Sequence, residues 1–277
     1  MLSRVLARVE PLASSVIVST SSERRRRELA PLVPSAARFR LDRSRRWGEG
    51  PGGAIAGARD VVARGPVLFV PGDVPWIETR ALGRLVRQAG AYSADVAVPY
   101  WQSGETEHLI QWHRSRATLR HLDRVTIGPL TTRRASEFLR AVPRTVLIPV
   151  RLLTQAPRSF SHVTYPSDLV RPAMRGRAGK SARVRVVEGA PKRWYHAARS
   201  QLRAGRPLDA VQAFLAESRW YSRANLPLLA QHAFEDAVRV GAGPLVPGEK
   251  RRPRRSSLRH RKNRATINPR TSVRGGR

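Results

Sequence analysis

The sequence predicts an α/β protein whose mostly parallel sheet is flanked by helices, followed by a small helical segment and a basic tail. Three observations predict it. Short apolar runs alternate with helix-period segments over residues 1–172, the pattern of strands buried on both faces. Residues 188–243 carry helical periodicity alone. Residues 248–277 are basic, rich in Ser, Pro and Gly, and almost free of large apolar side chains. We therefore expect three regions: an N-terminal sheet domain over 1–172, a helical appendage over 188–243, and a disordered arm over 248–277.

The elements follow in order. Leu2, Val5, Leu6, Val9 and Leu12 recur every three or four residues and give a helix one apolar face. Val16-Ile17-Val18-Ser19-Thr20 is β-branched and reads as a strand. Glu23–Leu29 is a helix, and Arg38-Phe39-Arg40-Leu41 an edge strand. Gly50-Pro51-Gly52-Gly53 opens a helix that runs to about Ala63. Val67-Leu68-Phe69-Val70 is a fully apolar strand that stops at Pro71-Gly72-Asp73-Val74-Pro75. Thr79–Gln88 is helix, Asp95–Pro99 strand, Thr131–Val142 helix and Thr145–Pro149 strand. In the appendage, Trp194, Tyr195, Ala198, Leu202 and Gly205 resemble one helical-hairpin repeat, which cannot bury its own face and must pack on the sheet domain.

Composition bounds the function. The chain has 277 residues, 41% hydrophobic and 26% charged, enough for a packed core. It has no cysteine, which excludes disulfides, Cys-ligated zinc, iron–sulfur clusters and a thiol nucleophile. No apolar run approaches the ~20 residues of a membrane helix, and Arg4, Arg8 and Glu10 make the N-terminus a poor signal peptide. We expect a cytoplasmic protein. Lys+Arg 52 against Asp+Glu 20 gives +32, nearly all of it arginine; the lysines are Lys180, Lys192, Lys250 and Lys262. That charge supports weak, nonspecific contact of the tail with nucleic acid.

In an open α/β sheet, ligands gather beyond the C-terminal ends of the strands. Asp73 is delivered there by a buried strand, between a glycine and a proline-fixed turn. Its carboxylate suits Mg²⁺ shared with nucleotide phosphates, or the capping of a turn. Gly50–Gly53 lets backbone N–H groups approach a base or phosphate closely. Phe160-Ser161-His162-Val163-Thr164-Tyr165-Pro166-Ser167-Asp168-Leu169 follows later.

Together these motifs resemble the MobA-like nucleotidyltransferases (molybdenum-cofactor guanylyltransferase-like). Gly50-Pro51 is similar to that family's Gly-Pro-Leu-Ala-Gly turn, and Gly72-Asp73-Val74-Pro75 to its Gly-Asp-x-Pro metal turn. Asp95–Pro99 followed by Glu107-His108-Leu109-Ile110-Gln111-Trp112-His113-Arg114 resembles its strand and Gln-Pro-Leu stretch. Phe160, Pro166, Asp168 and Leu169 match its Phe-x-Asn-Ile-Asn-Thr-Pro-Glu-Asp-Leu motif, with His162 and Thr164 in place of the asparagines. The resemblance covers residues 1–170 and implies a Rossmann-like sheet of the nucleotide-diphospho-sugar transferase type. It implies Mg²⁺-dependent transfer of a nucleotidyl group, guanylyl foremost, from an NTP such as GTP to a phosphorylated acceptor. Molybdopterin, cobinamide phosphate and a sugar phosphate all fit that acceptor. Asp73 would bind the metal with His162 and Thr164 near it; Gly50, Pro51, Gly52, Gly53 and Arg46 would hold the nucleotide.

The family's Gly-rich phosphate loop and its lysine have no counterpart, and neither does the central first strand. Strands Val16–Ser19 and Val67–Val70 are therefore expected to have unpaired edges. We expect a coding start placed too late; the alternative is a noncatalytic descendant that binds nucleic acid or a protein. Other residues take plainer readings. His108, His113 and His121 lack a carboxylate at metal-ligand spacing and line a surface or pocket. Trp101 and Trp112 fill core or rim, and Arg24–Arg27 form a solvated face. Arg43 and Arg45 are further phosphate candidates, whereas Ser115 and Ser161 belong to no triad.

Overall fold

A computed structural model of the chain describes residues 1–41, 50–58, 61, 65–115, 118, 134–169 and 183–242. Arg43, Arg45, Arg46, His121, the Thr131 end of the helix expected over 131–142, and the tail lie outside them. Met1–Gly243 form one compact unit.

Helix α1 (Leu2–Val9) buries Val5 and Leu6, as its spacing requires. Strand β1 (Ile17–Thr20), helix α2 (Glu23–Leu29) and strand β2 (Arg38–Leu41) follow. Ser22 caps α2, its side chain accepting from the Arg25 amide. The arginines of α2 pair with Glu23 and Glu28 on an exposed face. Helix α3 (Pro51–Gly57) starts after Gly50, whose φ of 81° is in the left-handed region that favours glycine. Strand β3 (Val67–Phe69), helix α4 (Thr79–Ala91), strand β4 (Val96–Tyr100) and strand β5 (Gln111–His113) come next. Then come helix α5 (Ser136–Ala141), strand β6 (Thr145–Pro149), the single turn α6 (Val150–Leu153) and strand β7 (Arg185–Val187). Helices α7 (Ala190–Arg203), α8 (Pro207–Arg223) and α9 (Pro227–Gly241) close the unit.

Five strands form one sheet in the order β3-β5-β4-β6-β7. β4 and β6 pair in parallel, and β3 runs the same way because both β3 and β4 are antiparallel to β5. β5 and β7 are the antiparallel members that the sequence pattern did not reveal. Among the described residues β1 pairs only with β2, in parallel, and β3 only with β5. The described strands thus lie in two sheets.

β4 and β6 are buried throughout, and their alternate residues explain both packed faces. Ala97, Val146 and Ile148 meet Ala81, Leu82, Leu85 and Ala89 of α4, together with Val5 of α1. Val96, Val98, Tyr100 and Leu147 point the other way, onto Leu139, Tyr221, Leu226 and Leu229. Each such side chain contributes roughly 1.5–3 kcal/mol on burial. α8, α9 and the turn between them therefore pack on this face of the central strands together with α5.

The attachment of the helical segment is also ionic. The Arg140 side chain in α5 is 0% exposed, and its Nε and Nη2 donate to the two Glu217 oxygens at 2.8 Å each. Its Nη1 donates to Asp236 Oδ2 at 2.7 Å. The guanidinium lies 4.9 Å from the Tyr195 ring centroid, and the Tyr195 hydroxyl donates to Glu137. One cation thus ties α5 to α7, α8 and α9. Lys192 is buried beside this group and donates to the Leu139 carbonyl and Thr145 hydroxyl. Burial pushes its ammonium down to about 7, Glu217 raising it and Arg140 lowering it further.

Candidate active site

Three loops leave the same end of the sheet, from β3, β4 and β6, and each delivers one titratable side chain. Asp73 comes four residues after β3, in the turn fixed by Pro71 and Pro75. Glu107 comes after β4, and its amide donates back to the Pro99 carbonyl at 2.9 Å. His162 comes after β6, beyond the turn that buries Phe160 in the α4-side core. The Val163 amide donates to the Asp73 carbonyl at 2.8 Å, tying the first loop to the third.

His162 stands between the two carboxylates. Its Nδ1 is 3.1 Å from Asp73 Oδ1 and its Nε2 is 3.2 Å from Glu107 Oε2. Its burial disfavours the charged ring, but the hydrogen bonds and charges of Asp73 and Glu107 outweigh this and raise it to about 9. Each ring nitrogen is thus within hydrogen-bond distance of a carboxylate oxygen. Glu107 is 1% exposed and its other oxygen accepts from the Trp101 indole N–H. Asp73 is 42% exposed, and its Oδ2 accepts no hydrogen bond from the described residues. The trio opens to solvent at Asp73.

The sequence-predicted residues separate accordingly. Asp73 and His162 are brought together. His162 Nδ1 lies within hydrogen-bond distance of Asp73 Oδ1, where the ring can orient that carboxylate. Thr164 is exposed, and its amide donates to Asp168 Oδ2 at 2.8 Å instead of engaging Asp73. Gly52 and Gly53 are buried in α3, whose Ile55 joins the apolar cluster that includes Phe69 and Leu109. Trp101 and Trp112 are core residues. His113 is buried, donates from Nε2 to Gln111 Oε1 and is lowered to about 3 by burial, so it stays neutral. Glu107 is the residue that sequence reasoning did not single out.

Among the described residues no group of three His, Cys, Asp or Glu side chains could hold a metal ion. The donor set fits Mg²⁺ in one mode only. Mg²⁺ keeps several waters and takes one or two carboxylates along with substrate phosphates. The exposed Asp73 oxygen meets that requirement; a closed protein cage is not available.

The MobA-like NTP transferase domain profile matches residues 1–146, more than half of the chain. The chain belongs to the MobA-like NTP transferase family. This MobA-like chain is similar in fold to a molybdopterin-guanine dinucleotide biosynthesis protein A from Archaeoglobus fulgidus. The two are 20% identical over 61% of this chain and 80% of that one, with a TM-score of 0.49. A protein from Aquifex aeolicus VF5 is 15% identical over 59% of this chain and 78% of that one, with a TM-score of 0.45. A comparison with curated proteins gives no match. The MobA-like match ends at β6, so α7–α9 lie beyond it. Among the described residues no helix is long and apolar enough to cross a membrane.

Proposed function

We propose that this MobA-like chain transfers a nucleotidyl group, guanylyl foremost, from an NTP to a phosphorylated acceptor of the molybdopterin kind. An acceptor phosphate oxygen forms the new bond to the α-phosphorus while the bond to pyrophosphate breaks. Mg²⁺, when bound, supplies charge neutralisation along the triphosphate. Asp73 holds that ion through its exposed oxygen, and His162 keeps the carboxylate from rotating away. Gly50–Gly53 flank the base or ribose. Catalysis on this reading is positioning and electrostatics, as is usual for phosphoryl chemistry.

The observation that carries the reading is Asp73 itself. Its carboxylate stands beyond the C-terminal end of β3, half-exposed, and among the described residues its side chain is held at Oδ1. The experiment is Mg²⁺-dependent pyrophosphate release from each of the four NTPs in the presence of molybdopterin, cobinamide phosphate or a sugar phosphate. GTP with molybdopterin is expected to turn over, and Asp73→Asn to abolish it. Turnover that survives Asp73→Asn removes Asp73 from the mechanism. Protein that binds no NTP supports the noncatalytic alternative.

A further inference from the structure

We infer that the turn joining α8 to α9 braces the loop that carries Glu107, making Glu107 a positioning residue for His162 and Asp73 and the helical segment a part of the active site. The inference rests on the proposed function for its consequence, but not for its geometry.

The loop between β4 and β5 is tight. The Gly104 amide donates to the Trp101 carbonyl at 2.9 Å, and the Trp101 amide donates to the Glu105 carbonyl at 2.8 Å. Gly104 has φ of +89°, a conformation that L side chains rarely adopt. Space alone would also demand glycine there. A Cβ would collide with the Asn225 carbonyl and lie 2.8 Å from Pro227 Cδ. The backbone of this loop is thus pressed directly on the α8–α9 turn.

That turn is itself fixed. Asn225 adopts φ of +51°, which asparagine tolerates better than most residues. Leu226 is buried against the sheet with Val98 and Tyr100. Arg185 in β7 donates to the Ala224 carbonyl at 2.7 Å and lies 5.2 Å from the Tyr100 ring centroid. On the loop's other side, Trp101 is buried in the α4-side core and its indole N–H holds Glu107. Glu107 then has one direction left for its second oxygen, toward His162 Nε2. The chain of contact runs from the α8–α9 turn through Gly104 and Trp101 to Glu107, His162 and Asp73. Partners that orient a metal ligand from behind commonly change metal affinity by about 10- to 100-fold when removed.

The test uses the full chain and three variants: Gly104→Ala, which forces loop and turn apart; Pro227→Ala, which only withdraws the ring contact; and Glu107→Gln, which keeps the shape. Nitrogen-15 histidine NMR reads the His162 ring N–H protons, assigned with His162→Gln. Calorimetry reads GTP affinity with and without Mg²⁺. The His162 ring signals of each variant are expected to shift from those of the parent. Mg²⁺-dependent GTP affinity is expected to weaken by about 10- to 100-fold with the Mg²⁺-free affinity unchanged. Gly104→Ala should add little in the Glu107→Gln background, because both act through one contact. Unchanged ring signals in folded Pro227→Ala and Gly104→Ala overturn the brace. Additive losses, or equal losses with and without Mg²⁺, overturn the route through Glu107. A parent that binds no NTP overturns the proposed function instead, and the NMR result still decides the brace.

Discussion

His162 Nδ1 lies 3.1 Å from Asp73 Oδ1, although the two residues are 89 positions apart and leave different strands. The contact sets the imidazole against one oxygen of a carboxylate that is 42% exposed. It gives that acid a partner 89 positions away that can orient it.

Asp73→Asn keeps the shape of the side chain and removes its charge. The variant should fold like the parent and lose Mg²⁺-dependent GTP affinity by at least about tenfold, or 1.4 kcal/mol. Titration calorimetry with and without Mg²⁺ measures this; equal affinities in the two proteins would refute the metal role.

His162 gives stability a definite pH dependence. Its folded-state value is raised to about 9 from 6.5, so its contribution is complete below pH 6.5 and is lost as pH rises through 9. Lys192 has the opposite sign. Its value is lowered to about 7 from 10.5, so in that window the unfolded chain binds more protons and stability rises with pH. The two slopes oppose each other between pH 7 and 9. Urea unfolding across pH 6–10 should therefore show a rise with pH in His162→Gln that is steeper than in the parent. Lys192→Met should instead show a steeper fall. Parallel profiles for all three proteins contradict this assignment.

Arg140→Met removes the cation that Glu217 and Asp236 share. Glu217 would lose its arginine partner and Asp236 its nearest one, keeping Arg134 at 3.4 Å and Arg239 at 3.8 Å, and breaking such a buried group costs about 3–5 kcal/mol. Adding Glu217→Gln and Asp236→Asn should recover much of that loss. Denaturant midpoints of the single and triple variants check both statements, and a single variant as stable as the parent would rule them out.

Phe160→Ala opens a cavity beneath the segment that delivers His162, since Phe160 is fully buried. A loss of about 3–5 kcal/mol in stability is expected. Because His162 is two residues on, Mg²⁺-dependent GTP affinity should fall as well, at a temperature where the variant remains folded. Stability lost with affinity intact would separate the core from the site.

Much of this was legible in the chain itself. Asp73 was readable because a five-residue turn with two prolines and a glycine follows a continuous apolar run. The position of His162 was readable because Phe160, Pro166 and Asp168 frame it. Glu107 was not, because its role depends on contacts with Trp101 and with His162, 55 residues away, and a single glutamate in a loop has no periodicity. β5 and β7 escaped for a related reason: three residues are too few to display an alternation. The Arg140 group lies across 96 residues of sequence, and charged positions within an amphipathic helix read as solvent-facing until packing shows otherwise.

The bidentate grip of Arg140 on Glu217 also joins the histories of the two halves of this protein. A chain cut after β7 would keep the arginine with Glu137 on its own helix and discard Glu217 and Asp236, the acids that meet it at 2.8 and 2.7 Å. Losing either half would therefore leave the other with charged groups made for a partner it no longer has.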